Sequence, residues 1–74
     1  SNNFDRVLNK TKELDCYYIK NKNIHYNTIP DDAFVISLQD DIPDREGIII
    51  TTEKGLSYDL IKKVGREFIY YKEK

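Results

Sequence analysis

At 74 residues, with 39% apolar side chains and a formal net charge of −1, the chain has material for one small domain and no global field to draw it onto nucleic acid or an anionic membrane. A domain of this size buries only about 60% of the surface its unfolded chain exposes, so a partner, a second copy or a larger parent protein is expected to add buried area. Cys16 is the sole cysteine, which rules out an internal disulfide and fits a reducing, cytoplasmic setting, and no apolar run has the length of a membrane span or a signal-peptide core.

Taken in chain order, Phe4, Val7, Leu8, Thr11, Leu14 and Tyr18 recur at offsets of three, four and seven, the apolar stripe of an amphipathic helix. Asn3 suits the N-cap and Asp5 the first turn, so a helix is expected from about Phe4 to Asp15. It should give way near Cys16, because Tyr17, Tyr18 and Ile19 favour extended backbone and 20–23 (Lys-Asn-Lys-Asn) is turn chemistry. Ile24, Tyr26 and Thr28 alternate with His25 and Asn27 as a short strand would. Pro30-Asp31-Asp32 stops that run. Ala33 to Gln39 alternates again and nominates Phe34, Ile36 and Leu38 for the core.

Asp40 to Glu46 is a polar loop around Pro43. Gly47 then opens Ile48-Ile49-Ile50-Thr51-Thr52, whose consecutive isoleucines imply a central strand with apolar material on both faces. Glu53-Lys54-Gly55 supplies a hairpin turn, Leu56, Tyr58 and Leu60 alternate as a strand, and a basic turn at 62–66 leads into Phe68-Ile69-Tyr70-Tyr71. Residues 57–64 also fit a helix, with Ser57 as N-cap, Leu60, Ile61 and Val64 on one face and Gly65 as the C-terminal cap. Both readings stay open at this point. The fold class expected is α+β, an N-terminal amphipathic helix packed on an antiparallel sheet of three to five strands, in which Phe4, Val7, Leu8 and Leu14 meet Phe34, Ile36, Leu38, Ile49, Tyr58 and Phe68.

Ile29-Pro30-Asp31-Asp32, the strand from Ala33 to Leu38, the segment from Gly47 to Thr52, the turn Glu53-Lys54-Gly55-Leu56 and Tyr58 together resemble the opening strands of bacterial pleckstrin-homology-like domains. The amphipathic lead-in is similar to that of some members. The lack of a catalytic constellation, in a short chain with more strand than it can easily cover, leads to the expectation of a non-catalytic protein-binding or scaffolding module. The resemblance covers about two thirds of the chain, as a pattern of strand types without reactive residues. The family closes seven strands with a C-terminal helix that is missing here, so the resemblance implies a fragment or a sheet completed in trans. None of the family's basic phosphoinositide motifs is present, and no ligand residues carry over.

Charge is unevenly spread. Residues 1–30 carry five cations against three carboxylates, residues 31–46 carry six carboxylates against Arg45, and residues 47–74 carry six cations against four carboxylates. Asp40, Asp41, Asp44 and Glu46 lack the spacing of a calcium loop and read as a solvated acidic face. His25 and Cys16 are each the only one of their kind, too few for a zinc site and without the orienting group of a nucleophilic pair. No catalytic, metal or cofactor residues are therefore assigned, and no enzyme is expected. Lys62, Lys63 and Arg66 read as protection of a sheet edge.

Aromatics beside cations remain. Tyr17, Tyr18, Tyr70, Tyr71 and Lys72 are the candidate partner-binding residues, for another protein or for a second copy in a homodimer. The rival is a small single-stranded nucleic-acid binder stacking bases on Tyr17, Tyr18 and Tyr70 with Lys72 on the backbone. The net charge of −1 speaks against it.

Overall fold

The computed structural model describes residues 13–20, 29 and 31–74. Within them the chain forms five strands: β1 (Cys16–Ile19), β2 (Phe34–Ile36), β3 (Gly47–Thr51), β4 (Asp59–Val64) and β5 (Glu67–Lys72). They make one sheet in the order β2-β1-β3-β5-β4. The isoleucine strand β3 holds the central place expected of it.

The expected fold class needs correction on two counts. The sheet is mixed: β1 pairs in parallel with both β2 and β3, while β3–β5 and β5–β4 are antiparallel. Among the described residues the one helical element is a 3₁₀ turn at Gln39–Asp41, and at the end of the expected helix Glu13 and Leu14 form a turn and a bend ahead of β1. The rest of that helix, with Phe4, Val7 and Leu8, lies outside the described residues, as does the strand expected over 24–28. Parallel pairing was invisible because side-chain alternation reports which face a residue takes and says nothing of strand direction.

A second correction concerns strand order. Glu53-Lys54-Gly55 does not join hairpin neighbours, since β3 pairs with β5 and β4 lies outside it. Residues 52–58 instead carry Leu56 and Tyr58 onto the first face of the sheet. The helix alternative for 57–64 is also set aside, because Asp59–Val64 is strand. The hairpin that does form is β4–β5, with Val64 opposite Glu67 across Gly65 and Arg66. Gly65 has φ +59 and no other residue type has positive φ, the pattern of a II′ turn, which needs glycine at its first central position.

Register explains the core. One row of partners crosses all five strands on the first face: Phe34, Tyr17, Ile49, Tyr70 and Leu60. Its middle three residues are buried, and Ile36, Ile42, Leu56, Tyr58 and Phe68 pack around them with Ile19. On the opposite face runs Val35, Tyr18, Ile50, Ile69 and Lys62, beside a cluster of Ile48 and Tyr71 with Leu14, Cys16 and Ile61. Apolar contacts on both faces of β3 are why three isoleucines in succession are tolerated. Two residues assigned to the core are corrected: Phe34 is 50% exposed because β2 is an edge strand of only three residues, and Leu38 is 63% exposed because it lies beyond β2, at the start of the 3₁₀ turn.

Candidate functional site

The aromatic residues singled out from sequence are not a surface. Tyr17, Tyr18, Tyr70 and Tyr71 are all buried, and Lys72 is tied down, so the expectation of solvent-facing tyrosines is corrected. Alternating positions on β1 and β5 send one tyrosine of each pair to each face, and all four rings fill the sheet.

Their polar ends brace the loops. At the start of β3, Arg45 donates to the Tyr17 hydroxyl from Nη2 at 2.7 Å and from Nε at 3.1 Å, and its Nη2 lies 2.8 Å from Asp15 Oδ2. The Tyr17 hydroxyl hydrogen bond, followed by the charges of Tyr17 and Asp15, holds the guanidinium above its ordinary pKa. Tyr71 donates to Glu46 Oε2, and Lys72 Nζ donates to the Arg45 carbonyl at 3.1 Å with Asp44 at 3.8 Å. Three of the five candidates, Tyr17, Tyr71 and Lys72, thus converge on the loop 44–46. Tyr70 serves the opposite end, donating to the Glu53 carbonyl at 3.0 Å.

Gly47 is where this bracing demands a missing side chain. A Cβ there would sit 3.1 Å from the Tyr17 ring and 3.2 Å from the Asp15 carbonyl, closer than carbon normally packs.

With the tyrosines enclosed, the exposed features lie at the sheet's two edges. On β2, Phe34 and Val35 are 50% and 51% exposed. Phe34 stacks on Tyr17 with centroids 5.5 Å apart, so one ring face is held while the other meets solvent. The Ile36 carbonyl accepts from Lys20 N at 2.8 Å. N–H and C=O of one residue point to the same side of a strand and alternate between neighbours, so those of Val35 face away from β1. Among the described residues no strand takes that outer side.

The other edge, β4, also exposes Leu60 and Val64. There Lys62 and Lys63 intervene, and the ladder slips between Leu60 and Lys62 around the extra residue Ile61, a bulge that blunts an edge. Lys63 Nζ stands 5.4 Å from the centre of the Phe68 ring, beside a shallow hollow of about 270 Å³ that Lys54 and Arg66 also line.

Cys16 is half-buried, and burial, followed by the charge of Asp32, pushes its thiol up to about 11; a thiol held protonated is a poor nucleophile. His25 lies outside the described residues. Among the described residues no three His, Cys, Asp or Glu side chains are grouped as metal ligands, and no helix is long and apolar enough to cross a membrane. The residues that sequence reasoning missed as surface are Phe34, Val35 and Leu38. Their clue was the pair of aspartates on either side of the run, Asp31-Asp32 and Asp40-Asp41, which a strand enclosed in a sheet seldom carries. No protein-family model, curated protein or solved structure matches the chain.

Proposed function

We propose that the chain is a non-catalytic protein-binding or scaffolding module that receives a partner along the outer edge of β2. The observation that carries this reading is the half-exposed pair Phe34 and Val35 on an edge strand whose Val35 amide and carbonyl point outward. Such an edge offers main-chain hydrogen bonds for affinity and side-chain contacts for specificity, the requirements of strand addition. The contrast with β4, where lysines and a bulge interrupt the edge, supports β2 as the receptive side. A reducing, cytoplasmic setting belongs to the same reading and rests on the lone Cys16. The pleckstrin-homology-like resemblance rests on the strand pattern of the sequence and contributes no residue to the interface. The nucleic-acid alternative has lost its stacking platform, since the rings of Tyr17, Tyr18 and Tyr70 are buried and bases need an open ring face.

The test is a titration of isotope-labelled chain with synthetic extended peptides of alternating threonine and valine, followed by backbone amide shifts and hydrogen exchange. Protection should appear at residues 33–37 and not at 60–64. Val35→Pro should remove it, because proline deletes the outward N–H without taking a ladder bond from β1. Peptides that leave β2 unperturbed, or a proline variant that binds as before, would rule the edge out.

A further inference from the structure

The β2 edge sits in the most acidic part of the chain. Asp31 and Asp32 precede it, and Asp40 and Asp41 lie on the 3₁₀ turn beyond its other end. All four are exposed, and none forms an ion pair among the described residues. Arg45, the one cation in residues 31–46, is committed to Asp15 and Tyr17. Among the described residues, Lys20, just past β1, is the cation that the register brings to this side, against four carboxylates.

We infer that the occupant of the β2 edge is an extended apolar segment of a different protein, flanked on both sides by lysine or arginine. The inference rests on the reading of β2 as a docking edge and adds the chemistry of what docks. A strand of this length spans on the order of 10 Å, about one Debye length at physiological salt. Each pair of aspartates therefore acts on its own end of the incoming segment, and a cation at each end is favoured over one in the middle. The apolar stretch between them meets Phe34 on one face of the sheet and Val35 on the other.

The same charges disfavour a second copy. Parallel pairing of two β2 strands would set Asp31 and Asp32 against their own duplicates. Antiparallel pairing about Val35 would set Asp31 opposite Gln39 and Asp32 opposite Leu38 of the other chain, next to its Asp40. Like charges facing one another across an interface suppress that pairing, so the edge that would otherwise self-associate is reserved for a basic partner.

The experiment compares two nonapeptides with the same alternating threonine and valine core, one flanked at each end by two lysines and the other by two glutamates. Affinity is read by isothermal titration at low and at high salt, with the solution mass of the chain measured alongside. The lysine-flanked peptide is expected to bind at least tenfold tighter at low salt, with the gap narrowing as salt rises. A triple variant Asp31→Asn, Asp32→Asn, Asp40→Asn should bring the two affinities together, and Val35→Pro should abolish both. Equal affinity for the two peptides, still lost with Val35→Pro, overturns the charge inference and leaves the edge reading standing. Binding of the lysine peptide that Val35→Pro does not disturb overturns both, since the contact is then a surface charge effect elsewhere. A dimer that Val35→Pro dissociates makes the second copy the occupant and overturns the inference while keeping the edge. Failure of both peptides to bind overturns both.

Discussion

The two edges of this sheet are made from similar residues and differ in what interrupts them. Both end the same first-face row, with Phe34 at the β2 side and Leu60 at the β4 side, and both residues are about half exposed. On the opposite face the corresponding row ends in Val35 at β2 and in Lys62 at β4. Lysines and the bulge around Ile61 thus blunt the β4 edge, and β2 carries neither. Apolar exposure alone does not identify a docking strand. In the reading proposed above, regular backbone together with uninterrupted apolar ends on both faces does.

The largest expected effect erases the comparison altogether. Ile49 lies at the crossing of the rows, fully buried, and Ile49→Ala should cost about 2–5 kcal/mol in denaturant unfolding, with both edges losing hydrogen-exchange protection together. A midpoint close to that of the parent chain would deny that β3 holds the two halves. Gly47→Ala sharpens the contrast, because the added methyl presses on the Tyr17 ring and the Asp15 carbonyl. Its cost of about 1–3 kcal/mol should fall on β1 and β2 first, and uniform loss of protection would argue against a local clash. Gly65→Ala acts on the other side. With φ +59 and open space around it, its penalty is conformational, of order 1–2 kcal/mol, and should loosen β4 while leaving the β2 amides as they were.

The smallest effect is chemical. Cys16 has its pKa raised to about 11 by burial, followed by the charge of Asp32, so its contribution to stability is complete below the ordinary value of 9.0 and is lost as pH rises through about 11. At pH 8 an aromatic disulfide reagent should react with the folded chain at least tenfold more slowly than with the urea-unfolded chain. Asp32→Asn, which removes the lesser of the two causes, should raise the folded rate by less than that factor. Equal rates for folded and unfolded chain would show the thiol to be open.

What could be read from the sequence was residue character along each strand, and what could not was direction and neighbour. The isoleucine run fixed a two-faced strand in the middle of the sheet, and Phe68 to Tyr71 marked β5 to within a residue at each end. The tyrosines pointed the wrong way because an aromatic beside a lysine looks the same whether the ring is in the core or on the surface. Here Lys72 lies beside buried Tyr71 and turns back onto the Arg45 carbonyl. β1 was obscured by Leu14 and Tyr18, which fit a helical stripe as readily as two positions on one face of an extended segment. Lys62 and Lys63, read as a turn, are strand residues because the tight turn needs only Gly65 and Arg66. Phe34 looked like core since alternation does not say whether a strand has a neighbour on one side or on both.

The enclosure of four tyrosines among the described residues, in a chain without tryptophan, gives the molecule a built-in optical gauge. Near-ultraviolet absorption and circular dichroism of these phenol rings report whether β1 and β5 remain seated against β3, with no label attached. Tyr17 lies next in line behind Phe34, so a strand arriving at the outer margin should alter its spectrum from one residue away.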